Sequence, residues 1–237
     1  MDLEWQQYLD THSGYYTSYS DNHMTLLTGP QLFGEDLDSL IAKYRDDDPA
    51  KYLRQGAEQR VIDSYRRQVN ITLESIAAGQ VAIAEFIGLG RISVLIKPLS
   101  QGFIEAPSEN IFDSPAVAHR TFSHPLDLEI VLASLKMSRR MLAHQGMASL
   151  TPVETSPGLN DQSDDELVEW IRNNMSPGGA HGCCSVPRGT VLDDGFSVRE
   201  VRGLRVVDTS SWPMIPGAHT SQVSPGRKDA NSSAELL

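Results

Sequence analysis

Apolar positions along the chain fall into stretches whose spacing changes, and each change predicts an element. Residues 1–30 are polar and aromatic, with Tyr8, Tyr15, Tyr16 and Tyr19 among Ser, Asp and Thr, and nothing there reads as a nucleotide-binding strand. Leu37 to Tyr44 suits a short helix, and Asp46-Asp47-Asp48-Pro49 suits a stop followed by a new start. From Pro49 to Val69, the residues Tyr52, Leu53, Val61, Ile62, Tyr65 and Val69 form a helical stripe. Leu73, Ile76, Ala77, Val81 and Ala84 continue at spacings of three and four, which predicts a second helix over Ile71 to Phe86. The period then switches. Ile92, Val94 and Ile96 alternate with their neighbours as a half-buried strand over Ile92 to Lys97, and Gly102 to Glu105 follows as a second short strand of the same sheet. Ser123 can cap a helix from His124 to about His144, with Asp127 and Glu129 near its start and Arg139 and Arg140 near its end, as the dipole prefers. Ser163-Asp164-Asp165-Glu166 is a capping box that opens a helix with Leu167, Trp170 and Ile171 inward. Leu204 to Val207 reads as a short apolar strand ending in Asp208. The expected class is α+β, an antiparallel sheet flanked by helices.

Composition narrows the function classes. A length of 237 residues allows one large domain or two small ones, and 40% hydrophobic with 22% charged residues is ordinary for a globular protein. A net charge of -11 argues against nucleic acid and anionic membranes as partners. No apolar run approaches the roughly 20 residues of a membrane span. The start, MDLEWQQYLD, lacks the basic and apolar regions of a signal peptide, so no compartment is assigned. Two adjacent cysteines do not easily bridge to each other and offer no disulfide framework. Asn70-Ile71-Thr72 is a glycosylation sequon, a tripeptide that also arises by chance.

The candidate chemistry gathers in Pro177 to Gln222. His181 stands beside Cys183 and Cys184, and His219 follows a Pro/Gly-rich turn after Asp208. A carboxylate at the carboxyl end of a strand sits where ligands of open α/β sheets bind, and it can equally cap the turn that follows. Two histidines delivered by loops on either side of that strand could face one ligand, the layout of a proton-handling site. Imidazole suits that task because its pKa lies near working pH. The cysteine pair lacks a second ligand pair at zinc spacing, so no metal site is expected. His12, His23, His119, His124 and His144 fit no motif and are assigned to surface or core.

Three motifs in this stretch carry a resemblance. His181-Gly182-Cys183-Cys184-Ser185 resembles a His-x-x-[Gly/Cys]-Thr pattern with Ser185 replacing threonine. Gly203-Leu204-Arg205-Val206-Val207-Asp208-Thr209-Ser210 is close to G-L-R-V-V-D-A-S, and Ile215-Pro216-Gly217-Ala218-His219-Thr220 to I-P-G-A-[NH]-T. In this order they resemble the C-terminal signature of the glucose–methanol–choline (GMC) family of FAD-dependent alcohol oxidoreductases, nearest its fungal members. KPLSQGFIEAPSENIFDSPAV from Lys97 and TPVETSPG from Thr151 are similar to segments of that family's substrate domain.

The resemblance implies a GMC-type substrate-binding domain over 1–175, incomplete, and a segment over 176–222 that returns to the FAD-binding domain. Residues 223–237 are expected to be a disordered tail, too polar to offset ordering costs of about 1–2 kcal/mol per residue. No strand–GxGxxG–helix unit occurs, so the N-terminal Rossmann half is expected to be absent. The implied roles are a catalytic base at His181, a catalytic partner at His219, and FAD contacts from Asp208, Thr209, His219 and Thr220. The implied substrate is a small-molecule alcohol, with a separate FAD-binding half as a partner that would complete the enzyme. Alternatives are a non-redox cyclase of a polyketide pathway on the same fold and an inactive truncated homologue.

Overall fold

The computed structural model describes residues 3–14, 17, 23–88, 92–158, 160, 163–176, 181–217, 219 and 220. The expected tail at 223–237 lies outside them. Helix α1 (Leu3–Thr11) is followed by strand β1 (Met24–Thr28), the short helix α2 (Gly29–Phe33) and helix α3 (Leu37–Arg45). Helix α4 (Gln59–Ala77) leads into β2 (Ala82–Ile87) and β3 (Ile92–Leu95), and then into a hairpin of β4 (Phe103–Glu105) and β5 (Ala116–Ala118). Helices α5 (Pro125–Leu142) and α6 (Asp164–Asn174) complete the regular elements. Strands β1, β2 and β3 form an antiparallel sheet in that order, so the α+β expectation holds. Its core joins Tyr65, Val69, Leu73 and Ile76 of α4 to Ile83 and Phe86 of β2 and Leu126 and Ile130 of α5. Among the described residues no helix is long and apolar enough to cross a membrane.

Several expectations change. The stripe that begins at Val61 runs unbroken through Asn70, so α4 is one helix rather than two, and Pro49–Tyr52 makes only a 3-10 turn. The helix stops at Ala77 because Gly79 takes φ +66, a turn that glycine adopts without steric cost. The expected helical residues Ala82 to Phe86 are instead the middle strand of the sheet. A strand buried on both faces reads as a continuous apolar run, which periodicity alone does not separate from a helix. The strand at Phe103 pairs with β5 and not with β3. Pro98 has no N–H for the ladder, and the next amides, Leu99 and Ser100, bond the buried Asp127 carboxylate at 2.8 and 2.7 Å. The chain therefore leaves the first sheet there. Gly102 begins the hairpin because a Cβ at that position would sit 2.2 Å from the Ala118 carbonyl oxygen.

Helix α5 starts one residue later than expected. Pro125 occupies its first position, and His124, not Ser123, is the cap, accepting Leu126 N–H at 3.3 Å. Ser163 caps α6 in the expected box with Glu166. No strand forms over Leu204 to Val207. Only an isolated bridge, Ser197 to Arg205, occurs there, and Leu204 and Val207 are about half exposed.

His124 carries a prediction. It is buried between the rings of Tyr44 and Tyr52, and burial pushes its pKa down to about 4. A base depressed in the folded state contributes stability above its unfolded pKa of about 6.5 and loses it as pH falls toward 4, up to about 3 kcal/mol. Asp127 acts with the opposite sign in this window, because burial pushes it up to about 6. The difference between wild type and His124→Gln isolates the histidine. The melting temperature of the variant should fall less steeply between pH 6.5 and 4, and parallel curves would contradict this.

Candidate active site

The site forms where the last described residues cross the sheet. Lys97, just past β3, donates from its ammonium to the Ile215 carbonyl and anchors the segment that leads to His219. Behind His181, Cys184 N–H donates to Thr209 O (3.1 Å), Val186 N–H to Ser210 O (2.9 Å) and Arg188 N–H to Ser211 O (3.0 Å). These bonds join the two loops that carry the histidines. Leu192 and Phe196, both buried, give the intervening coil a small core of its own.

Four side chains then line up. His181 Nδ1 lies 3.0 Å from Thr220 Oγ1, and His181 Nε2 lies 3.1 Å from His219 Nδ1. The imidazoles meet edge to face, with centroids 4.9 Å apart. His219 Nε2 lies 3.0 and 3.1 Å from the two carboxylate oxygens of Glu85. Glu85 sits in the middle of β2, 1% exposed, opposite Leu26 on one neighbouring strand and Val94 on the other.

Valence fixes the direction of the bonds. Glu85 as a carboxylate only accepts, so His219 donates Nε2–H to it. Neutral His219 then accepts at Nδ1 from His181 Nε2–H, and His181 accepts at Nδ1 from the Thr220 hydroxyl. Every polar atom on the line is satisfied by one tautomer set. A proton taken up at His181 Nδ1 can be matched by passing Nε2–H to His219, which places imidazolium against a buried carboxylate.

The structure brings together His181, His219 and Thr220. Asp208 and Thr209 join them only through the backbone bonds above. The Asp208 carboxylate accepts from Ser210 N–H (2.8 Å) and from its hydroxyl, and so caps the Thr209–Ser211 turn. These bonds stabilise the ionised form and hold its pKa below the ordinary carboxylate value. Glu85 and Lys97 are the residues that sequence reasoning missed. The signal for Glu85 was a single carboxylate inside an otherwise apolar run, Ala82 to Ile87.

With this geometry in place, the comparisons decide the family. Residues 98–224, more than half of the chain, match the sequence profile of the GMC oxidoreductases. The chain belongs to the GMC oxidoreductase family. Oxidoreductase cicC of Emericella nidulans is 35% identical over 134 residues, which cover 54% of this chain and 22% of cicC. The oxygen-dependent choline dehydrogenase of Vibrio vulnificus is 31% identical over 147 residues, 60% of this chain and 26% of that protein. Among solved structures, an FAD-dependent oxidoreductase from Chaetomium thermophilum superposes with a TM-score of 0.82 at 26% identity, covering 91% of this GMC chain and 39% of its own. A fungal aryl-alcohol oxidase gives 0.75 at 26% identity, covering 89% and 38%. This GMC chain therefore spans about a quarter or less of the curated relatives and about two fifths of the solved ones.

Proposed function

We propose that this site serves FAD-dependent oxidation of the CH–OH group of an alcohol, with His181 as the base and His219 as its partner. The observation that carries the reading is the continuous line Thr220–His181–His219–Glu85, which can take one proton and hold it beside a buried negative charge. A substrate hydroxyl bonding His181 Nδ1 in place of Thr220 would give up its proton there. The His181 Nε2 proton would move to His219 Nδ1, and Glu85 would stabilise the resulting cation. A positioned base of this kind contributes about 10²–10⁴-fold.

Asp208, Thr209, His219 and Thr220 would hold the isoalloxazine end of FAD. They offer a carboxylate, hydroxyls and an imidazole on loops already fixed by backbone bonds. Bound FAD would supply the hydride acceptor that no side chain provides. An origin in fungal secondary metabolism fits the fungal relatives such as cicC.

A dinucleotide's phosphates need a helix N-terminus approached by glycine backbone, and these four residues do not supply one. The chain by itself is therefore expected to purify colourless, since association costs an estimated ~4–15 kcal/mol. Supplied with a dinucleotide-binding half, it should acquire a flavin spectrum that an alcohol bleaches. Conversion of a hydroxy-aldehyde or hydroxy-ketone without flavin or electron acceptor would favour a non-redox cyclase instead. Loaded flavin that no alcohol bleaches would favour an inactive homologue.

A further inference from the structure

The proton relay leaves the vicinal pair Cys183 and Cys184 unused. In an extended chain successive side chains point to opposite faces, which keeps adjacent cysteines apart. Here Cys184 takes φ +65, a left-handed conformation uncommon for any residue but glycine. The turn swings both sulfurs to one side, and Cys183 Sγ lies 2.9 Å from Cys184 Sγ. A disulfide bond is about 2.05 Å, so the sulfurs must approach by about 1 Å. Adjacent Cα atoms about 3.8 Å apart fall short of the usual span of about 4.4–6.8 Å, so the closed ring is strained and readily reduced. Both thiols are free, and the Cys184 N–H to Thr209 O bond and the two bonds after it hold the turn in place.

The surroundings distinguish the two thiols. The Cys184 S–H bond pulls Cys183 below the ordinary thiol value, with help from the nearby Lys97 charge. The same contact and burial push Cys184 up. Burial lowers Lys97, and both sulfurs pull it back up. Both thiols are half-buried rather than sealed.

We propose that Cys183 and Cys184 form a two-electron oxidation site that takes a peroxide and closes to a vicinal disulfide, with Cys183 attacking and Cys184 resolving. The Cys183 thiolate attacks one peroxide oxygen, the O–O bond breaks, and the departing hydroxide takes a proton to become water. Cys184 then attacks the Cys183 sulfenic sulfur, the S–O bond breaks, and a second water leaves with the remaining thiol proton. Two thiols and one peroxide give one disulfide and two waters. The site works whether or not the neighbouring histidines oxidise an alcohol.

The test treats the folded, full-length protein with dilute hydrogen peroxide and follows intact mass and free thiols. Both thiols of this chain should disappear together, with the loss of two hydrogen atoms, no covalent dimer, and full recovery on adding a dithiol reductant. Phenylarsine oxide, which bridges neighbouring thiols, should block the reaction at one equivalent. In Cys184→Ser, dimedone should trap a sulfenic acid at Cys183, whereas Cys183→Ser should react far more slowly. Serine is close to cysteine in size, so both variants should keep the fold, checked by circular dichroism. Unchanged thiols, a dimer, oxidation past sulfenic acid in the wild type, or trapping only in Cys183→Ser would each overturn the proposal.

Discussion

Replacing His181 with alanine in the flavin-loaded, full-length protein should lower kcat for the proposed alcohol oxidation by about 10²–10⁴-fold, the range a positioned general base supplies. His181 is the residue whose two ring nitrogens face different partners, Thr220 and His219. Alanine removes the atom proposed to receive the substrate proton and also cuts the hydrogen-bonded line to Glu85. Loss at that level requires that flavin content and melting temperature stay near wild type, both of which are measured on the same preparation. Thr220→Val should cost less, because it removes only the hydroxyl that a substrate would displace. A kcat for His181→Ala within about threefold of wild type would rule out the assigned role, since even the low end of that range is a hundredfold.

The second large effect is expected at Glu85, a residue that touches neither the proposed substrate position nor His181. Glu85→Gln keeps the size and still accepts His219 Nε2–H, but it removes the negative charge. A hydrogen bond to a charged group is worth about 1.5–3 kcal/mol against about 0.5–1.5 kcal/mol for a neutral one. The difference of about 1–1.5 kcal/mol corresponds at 1.36 kcal/mol per decade to about 5- to 13-fold in rate. The loss should appear in kcat with KM little changed, because the charge acts once the proton has arrived. Stability should not fall, since burying a carboxylate carries a desolvation cost that glutamine relieves. A lower melting temperature with unchanged kcat would make Glu85 a purely structural residue. Glu85→Asp, which keeps the charge but shortens the reach, should recover part of the rate.

Legibility in the sequence followed the kind of interaction involved. Helix α6 was readable because its start is a local bond between Ser163 and Glu166, three residues apart. The helical stripes of α4 and strand β3 were readable from period, but the unbroken run of α4 through Asn70 and the boundary at Gly79 were not, because β2 is buried on both faces and continues the helical count. The cap of α5 was misplaced by one residue because Pro125 outweighs a good capping serine. His181, His219 and Thr220 were found through motifs within forty residues of one another, and the fold does bring them into hydrogen-bond reach. Glu85 stands 134 residues from His219 in sequence, and only the strand order β1-β2-β3 and the Lys97 anchor carry the two together. The same holds for the cysteine pair, where the decisive fact is a single dihedral angle at Cys184.

The proposed base-assisted alcohol oxidation is tested most directly by anaerobic rapid mixing of the flavin-loaded full-length protein with a panel of primary and secondary alcohols. The flavin band is followed in wild type and in His181→Ala. The account predicts that at least one alcohol bleaches the wild-type flavin in a single turnover, that a deuterium on the carbinol carbon slows the bleaching, and that His181→Ala bleaches at least about a hundredfold more slowly. Bleaching at equal rates in both proteins, or a wild-type flavin that stays yellow with every alcohol, would contradict it.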